Sequence, residues 1–337
     1  MLQRLIWTVV LSFAIALILG PVIIPWLKKM KFGQTIYELG LDSHKVKQGT
    51  PNMGGIIFAV PMLLVPLMMI DWTKPVGPFL PMVLVSTLGF GAIGFVDDYI
   101  KVSKKRSEGL TPMQKTVPMF VISAGLALWA YLTPEIGSKL VVPFAGIEWD
   151  LGWFFIPVMM FVLIGTVNSA NLLDGVDGLL GGCSLIDFAT MAIVCLSLAF
   201  TGGEWDNNVA NVMIFCGAAV GGILGFLRFN TYPANVFMGD NGSFAIGGGL
   251  VAVMLVTRMS LLLPIIALAM LVSSLSVIIQ VGYFKYTKKK TGTGKRIFRM
   301  SPLHHHFEKG GMPETRIVSM YMMATVVLCL IALTMFA

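Results

Sequence analysis

Carboxylates, amides, histidines and lysines cluster in five short segments of an otherwise apolar chain: HKVKQGTPNMGG (44–55), FVDDY (95–99), NSANLLDGVDG (168–178), NTYPANVFMGDNGS (230–243) and SPLHHHFE (301–308). Asp97 and Asp98 are adjacent and follow a long apolar run. Two neighbouring carboxylates repel, and beside lipid at least one must be neutralised by a metal, a cation or a proton. A plainer reading is an interfacial pair that reaches toward Lys101. Asp174 and Asp177 lie among glycines and asparagines that permit close backbone approach and supply amide donors. Asp240 is flanked by Gly239 and Asn241-Gly242. Helix capping would account for Asp240 or for one of the pair Asp174 and Asp177 without any ligand. Acidic groups from three separate segments together suit a hard, oxygen-seeking cation. Mg²⁺ characteristically takes one or two carboxylates, waters and substrate phosphates.

His304, His305 and His306 are consecutive, so all three cannot reach one ion, and the pattern argues against zinc. Hydrogen bonding or proton exchange with phosphate oxygens suits them better. Lys45, Lys47, Lys101, Lys104 and Lys105 add positive charge for a diphosphate, although each alone also serves as a topology signal. Metal-binding acids, histidine, lysine and glycine-rich backbone together describe phosphoryl transfer from a soluble phosphate donor to an acceptor in the bilayer. No P-loop or GxGxxG pattern is present, which excludes ordinary nucleotide-hydrolase and dinucleotide-binding machinery.

The elements that must position these residues are membrane helices. The chain has 337 residues, 56% hydrophobic and only 12% charged, with a mean hydropathy of +0.82, whereas soluble domains carry about 25% charged residues. Windows of about 20 apolar residues place ten spans near 5–27, 54–70, 79–97, 116–133, 153–170, 179–200, 209–227, 243–257, 261–283 and 316–336. The runs are continuous rather than alternating, which favours an all-α polytopic bundle over a β-barrel. The first run continues past signal-peptide length without a cleavage site and reads as a retained span.

Placing the amino terminus outside puts 20 of the 24 basic residues on the inner side, as the positive-inside rule requires. Both termini then face the periplasm, and all five polar clusters face the cytoplasm. The net charge of +7 follows from this asymmetry and from attraction to anionic headgroups, so nucleic acid is not an expected partner. Four isolated cysteines within apolar runs indicate packing rather than disulfides. The chain reads as one integral-membrane domain over 1–337. A small periplasmic hairpin is expected within 138–153, where Trp149 and Trp153 equally suit interfacial anchoring. Long inner loops are expected at 33–52, 102–114 and 285–315.

The segments GTPNMGG, GFVDDY, NLLDGVDGL, NTYPANVFMGD and RIFRMSPLHHHFE closely resemble those of the phospho-N-acetylmuramoyl-pentapeptide transferase family. The resemblance implies transfer of phospho-N-acetylmuramoyl-pentapeptide from UDP-N-acetylmuramoyl-pentapeptide to undecaprenyl phosphate, giving lipid I and UMP. It implies Mg²⁺ as cofactor and a multi-pass location in the bacterial cytoplasmic (inner) membrane. Residue by residue, it implies Asp240 as Mg²⁺ ligand, Asp97 and Asp98 as the catalytic acidic pair, and His304 as a catalytic-site histidine. Lys47, Asp174, Gly175, Val176, Asp177 and Phe237 would form a uridine pocket, with Asn168, Asn171 and Asn230 nearby. Gln280, His305 and His306 would contact the donor, and Lys101 and Lys105 its phosphates. The sequence departs from the family pattern at Asn52, Leu173, Val176 and Asn241, and carries an insertion around 288–294. A sister enzyme using UDP-N-acetylglucosamine shares the acidic motifs. A secondary transporter is the alternative from a different class, but it would hold its ionisable site near the midplane, where only Asp187 stands. Both monomer and homodimer remain compatible with the sequence.

Overall fold

The structure is a computed structural model that describes residues 1–30, 49–104, 109–201 and 204–336. Twelve helices are described: α1 (Leu2–Lys29), α2 (Ile56–Met69), α3 (Phe79–Ser103), α4 (Pro112–Leu132), α5 (Phe155–Leu173), α6 (Leu179–Ala199), α7 (Asn207–Asn230), α8 (Gly239–Val256), α9 (Leu263–Ile266), α10 (Leu268–Thr291), α11 (Leu303–Glu308) and α12 (Glu314–Leu333). Among the described residues, nine helices are long and apolar enough to cross a bilayer. The expected second span corresponds to α2, whose 14 residues are fewer than the roughly 20 of an ordinary spanning helix. It nevertheless leads from Gly55, packed against Gly242 at the start of α8, to Asp71, paired with Arg4 at the start of α1, and so joins the two ends of the bundle. The chain is an all-α polytopic membrane protein.

Burial separates centre from periphery. The most apolar windows of α7 and α8 are each 89% buried, against 22% for α1 and for α10 and 28% for α4 and for α12. The central helices are rich in small residues, which lets backbones approach closely where there is no water to expel. At the crossing of α3 and α8, a Cβ on Gly94 would lie 2.1 Å from the Asp240 carbonyl oxygen. The crossing is also pinned by Ser86, whose Oγ donates to the Gly248 carbonyl at 2.7 Å. A Cβ on Gly55, ahead of α2, would meet the Gly242 Cα at 2.3 Å. These contacts bring three polar segments to one end of the bundle.

Several expected boundaries shift, and the shifts matter for the site. The third span does not end at Asp97 and Asp98 but continues to Ser103, placing both carboxylates inside the helix and Lys101 one turn further along the same face. The eighth span begins at Gly239 rather than 243, so Asp240 sits in its first turn. Gly239, at φ +79°, turns the chain into this helix. The expected loop at 102–114 is shortened because α4 starts at Pro112 with a capping box: Thr111 accepts from the Gln114 N–H, and Gln114 accepts from the Thr111 N–H.

The ninth span is broken at Ala267, and its second part, α10, runs on to Thr291. That extension overturns the reading of 285–291 as loop. Three lysines in its last turn face the negative end of the helix dipole, and Gly292 closes the helix in the left-handed region. The histidine segment likewise forms a short helix, α11, instead of an irregular loop.

At the opposite end, the expected hairpin is present. Strand β1 (Lys139–Val142) pairs antiparallel with β2 (Ile147–Asp150), with Lys139 opposite Asp150 and Val142 opposite Ile147. Arg258, just beyond α8, holds this hairpin through Glu148 and through its carbonyl, which accepts from the Val141 N–H at 3.0 Å. Helix α8 therefore separates the hairpin from Asp240 by its 18 residues, about 27 Å at helical rise, close to the hydrocarbon thickness of a bilayer.

Gly94→Ala should overpack the α3–α8 crossing, lowering stability by about 1–3 kcal/mol and displacing Asp240. Gly125→Ala on α4, where a Cβ meets nothing within 4 Å, is the matched control. Thermal unfolding in detergent should show a lower midpoint for the first variant and an unchanged or slightly raised one for the second.

Candidate active site

Asp97 and Asp98 come from the end of α3, Lys115 from the first turn of α4, Asn171 from the end of α5 and Asp240 from the start of α8. Alternating helix direction brings these termini to one end of the bundle. Asp98 is fully buried and Asp97 is 2% exposed. Oδ2 of Asp98 accepts the Asn241 N–H at 3.0 Å, so this carboxylate caps the amino terminus of α8 from a neighbouring helix. Its other oxygen accepts from Asn52 Nδ2 at 3.2 Å. Oδ1 of Asp97 accepts the Leu110 N–H at 2.8 Å.

Two ammonium groups bind the cluster together. Lys101 Nζ lies 2.6 Å from Asp97 Oδ2 and 3.6 Å from Asp98 Oδ1, and donates to Asp240 Oδ2 at 3.0 Å. Lys115 Nζ donates to the same Asp240 oxygen at 2.7 Å and lies 3.8 Å from Asp97 Oδ2. It also sits 4.6 Å from the centre of the Phe244 ring. Asp240 Oδ1 accepts from Asn171 Nδ2 at 2.8 Å. A cavity of about 470 Å³ opens beside the cluster, lined by Asp97, Lys101, Lys115, Asn168, Asn171 and Asp240.

One oxygen from each of Asp97, Asp98 and Asp240 falls within 4.8 Å of the others. The donor set is entirely carboxylate oxygen, which fits a hard divalent cation held directly by one or two of them and through water by the rest. Asp240, shared by both lysines and bordering the cavity, is the most accessible of the three at 16% side-chain exposure.

The turn from α5 to α6 follows directly on the helix end that carries Asn171. Asp177 Oδ2 accepts the Ala234 N–H at 3.0 Å. Asn230 joins two loops, accepting from the Gly178 N–H at 3.1 Å and donating to the Val236 carbonyl at 3.0 Å. Burial, and after it the negative charges of Asp240, Asp98 and Asp177, push the Asp174 carboxyl up to about 8. His304 is fully buried and packs against this turn: a Cβ on Gly175 would lie 2.3 Å from His304 Nε2.

Other expected residues are directed to neighbouring backbone or side chains. Gln280 Oε1 accepts the Ile297 and Phe298 N–H groups and its Nε2 donates to the Phe298 carbonyl, all at 3.0 Å. His306 Nδ1 accepts the Arg299 N–H at 3.0 Å, and His305 Nδ1 lies 2.9 Å from Glu308 Oε2. Phe237 ties the GTPNMGG segment to the start of α8, donating its N–H to the Pro51 carbonyl and accepting from the Gly54 N–H, both at 2.8 Å. Val176 is buried at 4% exposure. Lys47 and Lys105 lie outside the described residues.

Sequence reasoning missed Lys115, Asn52, Asn241 and Ser243. The TPMQ capping box was the available signal for Lys115, because it fixes where α4 begins and hence which way the next residue faces. Asn241 Nδ2 donates to the Met53 carbonyl at 3.4 Å, and Ser243 Oγ accepts from Asn171 Nδ2 at 3.0 Å. Asn52 and Asn241, both departures from the family pattern, thus meet around Asp98.

The fold and this acidic, lysine-bridged cavity define a polytopic membrane protein built for phosphate chemistry at one end of its bundle. Residues 80–259 match the model of glycosyl transferase family 4. Phospho-N-acetylmuramoyl-pentapeptide-transferase of Clostridium novyi is 41% identical over 330 residues, covering 98% of this chain and 96% of that protein. The namesake in Caldanaerobacter subterraneus is 42% identical over 327 residues, covering 97% of each chain. That of Bacillus subtilis is 40% identical over 332 residues, covering 98% and 97%. The chain belongs to the phospho-N-acetylmuramoyl-pentapeptide-transferase family.

Removing one cation should expose the electrostatics. Lys115→Met leaves Asp97 and Asp240 sharing Lys101 alone and should lower stability by about 1–2 kcal/mol, less than for a fully buried pair because the groups are partly exposed. Adding Asp240→Asn should recover part of that loss in thermal unfolding; additive losses would mean the two residues are not coupled.

Proposed function

We propose that the chain transfers phospho-N-acetylmuramoyl-pentapeptide from UDP-N-acetylmuramoyl-pentapeptide to undecaprenyl phosphate, producing lipid I and UMP. The observation that carries this reading is the cluster of Asp97, Asp98 and Asp240 around Lys101 and Lys115, beside a cavity at one bundle end, in a chain whose relatives bear that activity in their names. The distribution of 20 of 24 basic residues supports a cytoplasmic position for this end, with both termini periplasmic, in a bacterial cytoplasmic membrane.

The acceptor needs little activation. A phosphate monoester has a second pKa near 6, so at pH 7 its oxygen is already largely ionised. In direct attack that oxygen forms a bond to the donor's β-phosphorus while the bond to the bridging oxygen breaks, and UMP leaves with the electron pair. Lys101 and Lys115 pair with phosphate oxygens and offset the charge that gathers there. Asp97, at the cavity wall, accepts a proton from any acceptor molecule that arrives protonated. Mg²⁺, held by Asp240 with help from Asp97, would supply further charge neutralisation. Asp98, committed to the α8 backbone, positions Asp240 rather than reacting. The turn carrying Asp174 and Asp177 and the Phe237 ring receive the uridine, and His304 stands against that turn.

Purified protein in detergent, given undecaprenyl phosphate and either UDP-N-acetylmuramoyl-pentapeptide or UDP-N-acetylglucosamine, should release UMP and form lipid product only with the first. The opposite preference would assign the sister activity. Turnover should require a divalent cation and fall at least about a hundredfold in Asp240→Asn, the loss of several kcal/mol of charge stabilisation; near-normal turnover in EDTA would refute the metal role.

Labelled UMP should not exchange into the UDP donor in enzyme stripped of lipid, because direct attack requires the acceptor. Lipid-independent exchange near the turnover rate would instead make an aspartate the nucleophile.

A further inference from the structure

Helix α10 crosses from apolar to charged surroundings in three bands. Leu275, Ile278 and Ile279 are exposed apolar side chains, Tyr283, Phe284 and Tyr286 follow, and Lys288, Lys289 and Lys290 end the helix. This order is what a helix shows where hydrocarbon gives way to headgroups. At the aromatic level the chain folds back on itself, because Gln280 grips the backbone of Ile297 and Phe298.

Between α10 and the returning segment lies a cavity of about 450 Å³ that shares no lining residue with the acidic cavity. Lys285, Arg296 and Lys309 converge on it, and Val281, Phe284 and Met300 give it an apolar floor. No carboxylate lines it, and among the described residues none of the three cations has an acidic partner. Three like charges gathered on one hollow at headgroup depth call for an anion. The apolar floor, with the exposed Ile278 about one turn before Val281 on the same helix face, calls for a hydrocarbon chain attached to the anion.

We propose that this cavity binds the phosphate headgroup of an anionic membrane lipid, its acyl chain lying along α10. Ser301 also lines the cavity, and α11 with His304 lies between Ser301 and Lys309. A headgroup bound there ties both flanks of the histidine helix to α10 and braces the segment that sets His304 against Gly175. The site is then a lipid-dependent support for the active-site wall, resting on the membrane embedding and not on the identity of the sugar donor.

The test uses the full chain in a neutral detergent, with retained lipid counted by native mass spectrometry and stability read by thermal unfolding. The probes are phosphatidylglycerol, phosphatidylcholine and inorganic phosphate, each added separately. Phosphatidylglycerol should raise the midpoint and be retained as a discrete one-lipid adduct. Lys285→Gln/Arg296→Gln/Lys309→Gln should weaken that binding at least tenfold, whereas Lys288→Gln/Lys289→Gln/Lys290→Gln, which removes the same amount of charge from the nearby end of α10, should weaken it less than threefold. If the first triple variant does not fold, the single Lys285→Gln, on an exposed position, should still cost about threefold. Equal weakening by both triples would reduce the feature to a diffuse basic face. Equal retention of phosphatidylcholine would make it an apolar groove, and protection by inorganic phosphate alone would make it a site for a soluble phosphate. Any of these three results overturns the proposal.

Discussion

Gathering three carboxylates at the end of a bundle of apolar helices is the constraint on which the rest depends. Each ion taken out of water costs several kcal/mol unless its charge and lone pairs are met, and lipid offers nothing to meet them. The protein answers with two ammonium groups, two amide side chains and two backbone N–H groups. Supplying them requires particular helix ends at one point: the last turns of α3, the capped start of α4, the end of α5 and the start of α8. The glycine crossing at Gly94 and the turn at Gly239 follow from the same demand, since bulkier residues there would push Asp240 away from its partners.

The three carboxylates are held in different ways, and the difference suits catalysis. Asp98 is bound on both oxygens by groups fixed to the α8 backbone and to the Asn52 segment. One oxygen of Asp240 and one of Asp97 are held by lysine ammonium groups on long, rotatable stems. Such counter-ions can move from carboxylate to an incoming phosphate without disturbing the backbone, while Asp98 keeps α8 in place. A scaffold that is rigid on one side and exchangeable on the other lets a charged substrate enter without leaving a buried charge alone.

The histidine segment shows the same division. His306 and Gln280 are committed to backbone N–H groups of the returning loop, which frees His304 to be placed against the turn at Gly175. Removing either brace would therefore be felt at His304 although neither residue faces the acidic cavity.

Much was legible in the sequence because membrane helices announce themselves. Continuous apolar runs cannot satisfy their backbone in lipid except as helices, so the all-α polytopic class, the positions of the spans and the five polar segments followed from residue order alone. The hairpin near Gly146 was readable from its turn and β-prone flanks. The exact helix ends were not, because hydropathy fades where polar residues begin, which is where the site lies. Asp97 and Asp98 looked terminal but are internal to α3, since Lys101 and the start of α8 make continuing the helix favourable. The lysines of α10 looked like loop but extend the helix, because its dipole and Gly292 reward them there. Which cation answers which carboxylate was decided only by tertiary structure. Lys115 and Asp240 are 125 residues apart, and a pairing between groups from different helices depends on how those helices cross, which no local pattern encodes.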